Sequence, residues 1–174
     1  MYKKILIIGS PGSGKSHFAR KIAEKTGLEL IPLDTVFWQP NWVETPVDEF
    51  REKIKQLTEK DEWIMEGNYS NSLDIRFPAS DLVIFLDINR FTCIRGVLSR
   101  HGKPRPDMPE NCVETFNRDF IDFLRYVYNF PKKQKKKLMN IISTDPEKPV
   151  IIVKTRKEAD TLAENFLNIT EDLK

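Results

Sequence analysis

The feature that most constrains this sequence is a phosphate-loop motif directly after a short apolar run near the start of the chain. Ile5 to Ile8 are continuously apolar, and the next eight residues fit the pattern G-x-x-x-x-G-K-[ST] at every fixed position. The glycines allow backbone conformations in which successive N–H groups converge on phosphate oxygens. The pattern predicts a strand, a nucleoside-triphosphate loop and a helix, with the loop formed by Gly9, Ser10, Pro11, Gly12, Ser13, Gly14, Lys15 and Ser16.

The last two residues of the motif carry specific predicted roles. We expect Lys15 to bring positive charge to the outer phosphates of ATP, and the Ser16 hydroxyl to bind Mg²⁺. The helix that must begin here points the positive end of its dipole at the same anion. The motif therefore predicts a site for ATP and Mg²⁺.

Charge and cysteine content exclude several classes of protein. The 174 residues include 28 Lys and Arg against 26 Asp and Glu, a formal net charge of +2, so no strong general attraction to nucleic acid or anionic membranes is expected. Cys93 and Cys112 lack the spacing of a zinc site or a redox pair and are expected to be packing residues. The first apolar run is too short for a signal-peptide core or a membrane span. We expect a cytoplasmic protein with a single domain over residues 1–174, and the sequence leaves its oligomeric state open.

Apolar strand patterns alternate with helical patterns along the rest of the chain. This alternation predicts a parallel sheet with right-handed crossovers. The expected fold class is α/β, a P-loop NTPase three-layer sandwich with a five-stranded parallel sheet. Strands are expected at 5–8, 28–33, 63–65, 82–86 and 150–153. Helices are expected at 16–26, 48–60, 91–100, 113–142 with a break at Pro131, and 157–167.

Four predicted strands end beside residues that suit phosphate chemistry. Gly9, Asp34, Glu66 and Asp87 each fall at or just beyond a strand's carboxyl end, and in parallel sheets those ends share one rim, where ligands bind. Asp34 is a candidate to face the phosphoryl acceptor, with turn capping as its alternative. A phosphate loop also needs an acid for the metal ion, and both Glu66 and Asp87 are candidates for it. Asp87 could instead cap the helix that follows.

Arginines and a proline-rich segment are expected to complete the site. Phosphoryl transfer spreads negative charge over the moving group, and the arginine fork can grip phosphate through two hydrogen bonds. From His101 to about Cys112 the sequence has no periodicity and several prolines, which predicts a lid over 101–112, with a plain connecting loop as the alternative. The candidate arginines are Arg76, Arg95, Arg100, Arg105 and Arg118.

Two further segments each allow two interpretations. Thr35 to Trp42 holds three aromatic residues, which could form a platform for a planar or apolar acceptor or could simply cover the sheet edge. The chain also has one dense basic run, which is either a solvated helix face or a contact for DNA. Binding to nucleic acid is the less favoured interpretation. The basic run comprises Lys132, Lys133, Lys135, Lys136 and Lys137.

Three linked segments resemble the bacterial family of DNA topology modulation proteins, which belongs to the adenylate-kinase-like P-loop kinases. They are LDTVFWQPNW at 33–42, WIMEGNY at 63–69 and RPDM at 105–108. The resemblance implies an ATP-dependent kinase whose phosphate loop binds ATP and whose acceptor is a small molecule, with a nucleotide as one candidate. It favours Glu66 over Asp87 for Mg²⁺ and places Asp34 toward the acceptor. It also implies phosphate clamps at Arg76, Arg100 and Arg118. The family name leaves a DNA-binding protein that responds to nucleotides as the alternative function.

Overall fold

A computed structural model describes residues 1–105 and 107–171. The described chain contains seven strands. They are β1 (Lys4–Gly9), β2 (Leu30–Pro32), β3 (Trp38–Gln39), β4 (Val43–Glu44), β5 (Trp63–Glu66), β6 (Leu82–Leu86) and β7 (Val150–Val153). It also contains eight α-helices: α1 (Lys15–Thr26), α2 (Leu33–Phe37), α3 (Val47–Glu59), α4 (Leu73–Ala79), α5 (Arg90–Arg100), α6 (Arg118–Ile142), α7 (Arg156–Glu164) and α8 (Phe166–Glu171).

Five of the strands form a parallel sheet in the order β2-β5-β1-β6-β7. The central strand β1 is buried from Ile5 onward because helices cover both faces of the sheet. The five-stranded parallel sheet and the α/β class predicted from the sequence are confirmed. Because all five strands run the same way, their carboxyl ends lie along one edge, where the phosphate loop follows β1.

Two apolar clusters fill the space between the sheet and the helices. One lies on the side of Ile5 and Ile7, where α1, α5 and α7 contribute buried residues. The other lies on the side of Leu6 and Ile8, where α3 and α4 pack. The helix α6 contributes to both clusters, through Val127 to the first and through Phe130 and Leu138 to the second.

Several predicted elements differ from the structure. The expected break at Pro131 is wrong, because α6 runs 25 residues through it. A proline removes one helical hydrogen bond, and the burial of Phe130 and Leu138 on either side offsets that loss. The expected helix over 157–167 is divided at Asn165 into α7 and α8. The helix α4 was not predicted.

The segment after Asp34 is also more ordered than the sequence suggested. It forms the short helix α2 and then an antiparallel pair, β3 and β4, joined by a single 3₁₀ turn at Pro40–Trp42. In the part of the chain that the structure describes, no helix is long and apolar enough to cross a membrane.

Candidate active site

The phosphate loop has the backbone conformations that its glycines predict. Gly12 and Gly14 take φ values of 75° and 101° in the left-handed region, which other residues rarely adopt. A Cβ atom on Gly12 would lie 2.1 Å from the carbonyl oxygen of Cys93 on α5. On Gly14, which caps α1, a Cβ atom would meet no atom within 4 Å. The loop is therefore pressed against α5 on one side and open at the start of α1 on the other.

Lys15, Ser16 and Glu66 lie together at the carboxyl edge of the sheet. The Ser16 hydroxyl donates a hydrogen bond to Glu66 Oε2 at 3.2 Å, and Lys15 Nζ lies 3.7 Å from Glu66 Oε1. Lys15 Nζ also donates to the Ser10 carbonyl oxygen at 3.1 Å. The motif residues and the acid at the end of β5, which are about 50 positions apart in sequence, thus meet at one point.

Glu66 is only 5% exposed, and this burial affects the charge state of its carboxyl group. Burial raises the pKa of its carboxyl above the ordinary value, and the nearby charges of Asp34 and Asp107 raise it further. Lys15 and the Ser16 hydroxyl act in the opposite direction and favour the ionised carboxylate. A cation placed between these groups would favour ionisation more strongly.

The oxygen atoms of Ser16 and Glu66 fit Mg²⁺. This ion prefers oxygen ligands in octahedral geometry and usually keeps water and substrate phosphates beside one or two protein groups. Within the described residues no cluster of three or more His, Cys, Asp or Glu side chains could hold a metal ion. Ser16 and Glu66 offer one hydroxyl and one carboxylate, a donor set that suits an ion held in part by substrate phosphates.

Asp87, the other candidate for the metal ion, is already paired. Lys135 on α6 donates a hydrogen bond to Asp87 Oδ2 at 2.5 Å. Asn89, not Asp87, caps α5, since its side chain accepts from the backbone N–H of Phe91. The geometry therefore favours Glu66 for the metal ion.

Asp34 lies in the first turn of α2, directly after β2. The Tyr69 hydroxyl donates to Asp34 Oδ1 at 2.7 Å, and Arg105 Nη2 lies 3.3 Å from Asp34 Oδ2. Burial, together with the negative charge of Asp34, raises the pKa of Tyr69 far above its ordinary value, so the phenol stays protonated and remains a donor. The Asp34 side chain keeps about a third of its surface exposed, at 32%, which leaves it accessible to a ligand.

The predicted lid segment reaches the site through Arg105. Its guanidinium pairs with Asp107 at 2.5 Å, with Asp34, and more distantly with Glu114 at 3.9 Å. Burial alone would lower the pKa of Arg105, but the hydrogen bond and charges of these acids raise it above its ordinary value. Asp107 also faces the Ser16 hydroxyl, and although burial opposes ionisation, Arg105 and Ser16 hold the pKa of Asp107 below its ordinary value.

Two of the three arginines that were predicted to bind phosphate already donate hydrogen bonds to other groups of the protein. Arg100 pairs through two nitrogens with Glu114 at 2.8 and 3.3 Å. Arg76 is fully buried and donates four hydrogen bonds to groups of the segment after β5, so its predicted role does not fit its position. Burial lowers the pKa of Arg76 to about 9, which keeps the guanidinium charged at neutral pH. Arg118 is exposed at the first turn of α6.

The aromatic residues of 35–42 form one cluster with two partners from elsewhere. Phe37 packs against Tyr69 at 4.9 Å and Phe50 at 5.3 Å between ring centroids. Trp38 bridges Phe37 and Trp42 at 5.0 and 5.1 Å. Phe37 packs against the core, while Trp42 is 36% exposed at the hairpin. The interpretation of this segment as a platform for the acceptor stays a prediction.

Sequence reasoning missed Tyr69 and Asp107. Both residues lie in segments that carry the family resemblance: Tyr69 ends the segment 63–69, and Asp107 lies within RPDM at 105–108. Their roles depend on contacts with Asp34 and Ser16, more than 30 and 90 positions away, which local pattern cannot reveal.

Comparison with known proteins gives a partial sequence match and a shared fold. No model of a known protein family matches the chain. Adenylate kinase of Thermotoga neapolitana is 36% identical over 81 residues, which are 47% of this chain and 36% of that protein. The chain thus matches only about a third of the length of this curated relative.

Two solved structures match nearly the whole chain at low identity. Deoxyadenosine kinase from M. mycoides, solved with dCMP and dCDP bound, has a TM-score of 0.54 and 17% identity over 98% of this chain and 99% of its own. A sugar kinase from Janibacter sp. HTCC2649 has a TM-score of 0.56 and 16% identity over 98% and 95%. The chain therefore has the P-loop α/β fold that these kinases share.

Proposed function

We propose that this protein is an ATP- and Mg²⁺-dependent kinase that transfers the γ-phosphoryl group of ATP to a small acceptor. The observation that carries the proposal is the meeting of Lys15, Ser16 and Glu66 at the end of the phosphate loop. The partial sequence match to an adenylate kinase and the fold shared with deoxyadenosine and sugar kinases support it.

The phosphate loop and α1 would hold the triphosphate. Backbone N–H groups of Gly9 to Ser16 and the N-terminus of α1 bind the phosphates, and Lys15 exchanges its contact with Ser10 for phosphate oxygen. Ser16 and Glu66 would hold Mg²⁺, which neutralises charge that develops on the phosphates.

The segment 101–112 is proposed to act as a lid on a single kinase domain over residues 1–174. It brings Arg105 to Asp34, and Asp107 of the same segment faces the Ser16 hydroxyl. A guanidinium at this place can stabilise the transferring phosphoryl group. Arg100 and the exposed Arg118 flank the ends of this segment and stay candidates for further phosphate contacts. Closing such a segment keeps water from the reacting phosphate.

The narrower assignment to the DNA topology modulation proteins also stays a proposal, supported by the three sequence segments at 33–42, 63–69 and 105–108. DNA binding as the primary function has no support from the matched proteins, which are kinases. Within the basic run, Lys135 is paired with Asp87 and the other four lysines are exposed on α6, as in a solvated helix face.

The test of this function is transfer of label from [γ-³²P]ATP with Mg²⁺ to a pooled set of nucleosides, nucleoside monophosphates and hexoses. The wild-type chain is expected to label at least one acceptor. Glu66→Gln is expected to lower the rate at least about 100-fold because it removes the carboxylate beside Mg²⁺. Glu62→Gln, at an exposed acid of the preceding turn, is the matched control. The proposal is wrong if the wild-type chain labels no acceptor, or if Glu66→Gln is as active as Glu62→Gln.

A further inference from the structure

The geometry points to a neutral alcohol as the acceptor, carried on a ring such as that of a nucleoside or a sugar, with Asp34 as the base that receives its proton. This inference rests on the proposed function and narrows the class of acceptor, for which the sequence offered a nucleotide as one candidate. The inference stands on three features of the site: its charge, the contacts of Asp34 and the aromatic cluster beside it.

Carboxylates are concentrated where the acceptor side of the site meets the phosphate loop. Asp34 and Asp107 contact the same guanidinium nitrogen of Arg105, at 3.3 and 2.5 Å, while Asp107 and Glu66 both face the Ser16 hydroxyl. Three carboxylates are thus grouped around one serine and one arginine. A phosphate monoester with its double negative charge would be repelled from such a site unless further cations faced it.

The cations whose contacts reach this group already have partners within the protein. The Arg76 guanidinium donates hydrogen bonds to the carbonyl oxygens of residues 67–69 and to the Ser72 hydroxyl, and Arg76 has no exposed surface. Arg100 is held by Glu114. Lys15 belongs to the phosphate loop and contacts Glu66. Arg105 faces the site, but Asp34, Asp107 and Glu114 already surround it. The site therefore suits an acceptor without charge.

Asp34 is placed to take a proton from an alcohol. The Tyr69 hydroxyl fixes one carboxylate oxygen at 2.7 Å, and the carboxylate keeps about a third of its surface open. In the reaction, the acceptor oxygen forms a bond to the γ-phosphorus of ATP and its proton passes to Asp34. The bond from the γ-phosphorus to the bridging oxygen breaks, and its electron pair leaves with ADP. The products are a phosphate monoester, ADP and one proton.

The aromatic cluster offers the surface for a neutral ring. Tyr69, which holds Asp34, packs against Phe37 and Phe50, and Trp38 extends the cluster to Trp42. Trp42 Nε1 donates to the Val113 carbonyl oxygen at 3.4 Å, so the hairpin and the segment after the lid approach each other here. Ring faces of this kind attract flat bases and the C–H faces of sugars without requiring charge.

The experiment separates the pooled acceptors into three arms: nucleosides, hexoses and nucleoside monophosphates, each with Mg²⁺-ATP. Products are identified by ³¹P NMR, which distinguishes a phosphate monoester from a diphosphate. We expect a monoester in the nucleoside or the hexose arm, with the monophosphate arm at least about 100-fold slower. A diphosphate formed from a nucleoside monophosphate overturns the inference while leaving the proposed kinase function intact. Binding of Mg²⁺-ATP with no monoester in any arm also counts against the inference, and failure to bind Mg²⁺-ATP overturns both.

Variants of Asp34 test its part in the chemistry. Asp34→Asn is expected to lower kcat about 100-fold or more, the usual effect of losing a general base, with the KM for ATP unchanged. Asp61→Asn changes an exposed acid in the turn before β5 and is the control. If Asp34 has only a structural role, Asp34→Asn should raise the KM for ATP or lower the Tm to match the loss of activity. Either result would show that Asp34 is not the general base.

Discussion

Arg76 provides the sharpest test of how the site is held together. Its guanidinium donates to the Gly67, Asn68 and Tyr69 carbonyl oxygens at 2.9–3.2 Å and to the Ser72 hydroxyl at 3.1 Å. The perturbation we propose is Arg76→Lys, which keeps the positive charge but replaces the planar fork with a single ammonium. A lysine at this position can satisfy about half of these acceptors.

The expected loss follows from counting those hydrogen bonds. Losing two of the four, at about 1.5 kcal/mol each, the low end for bonds that involve a charged group, lowers the free energy of unfolding by about 3 kcal/mol. With a urea m-value of about 2 kcal/mol/M, the midpoint of unfolding falls by about 1.5 M. Arg95→Lys, at an exposed position on α5, is the control and should change the midpoint by less than about 0.3 M.

Binding of ATP distinguishes this structural role from a phosphate clamp. If Arg76 holds the segment after β5, Arg76→Lys should bind Mg²⁺-ATP within about twofold of wild type by isothermal titration calorimetry at a temperature where both are folded. The reasoning is refuted if the variant keeps the wild-type urea midpoint but loses ten-fold or more in affinity for ATP, because that pattern belongs to a residue that contacts phosphate.

Three other predictions follow from contacts around the site. Arg105→Ala removes the pair with Asp107 and should speed hydrogen exchange of the amides of 107–114 about tenfold or more, as read by mass spectrometry; unchanged exchange would show that Arg105 does not hold this segment. Thr155→Ala removes the N-cap of α7, whose hydroxyl accepts from the Glu158 amide at 3.1 Å, and should cost about 1 kcal/mol in urea unfolding, while Thr115→Ala at an exposed loop position should cost little. Removal of Mg²⁺ with EDTA should abolish transfer from ATP and restoration of Mg²⁺ should recover it; full activity in EDTA would contradict the role given to Ser16 and Glu66.

The sheet could be predicted because its strands are short, apolar and bounded by breakers. The predicted bounds of β6 and β7 are confirmed residue for residue. The segment at 33–44 could not be predicted, because its hairpin depends on contacts from outside, including the Cys112 thiol, which accepts from the Trp42 amide at 3.4 Å. The predicted break at Pro131 failed for a related reason, since tertiary burial on both sides outweighs the local cost of proline.

In the site, too, local motifs could be predicted from sequence, whereas contacts between distant residues could not. The geometry of Lys15 and Ser16 follows from a motif whose spacing encodes it directly. The position of Arg76 could not be read from sequence, because an arginine that binds backbone carbonyls and one that binds phosphate have the same local pattern. The group formed by Asp34, Arg105 and Asp107 joins residues about 70 positions apart and appears only once the chain is folded.

The most direct test of the central claim is calorimetric titration of the full chain with Mg²⁺ and a non-hydrolysable ATP analogue. The account predicts one site per chain, and at least about 30-fold weaker binding in Lys15→Met, which loses a buried charged contact worth about 2 kcal/mol. Lys55→Met removes a lysine from an exposed surface pair on α3 and should bind as wild type. Absence of binding by the wild-type chain, or equal affinity in Lys15→Met and Lys55→Met, would contradict the assignment of Gly9 to Ser16 as a triphosphate site.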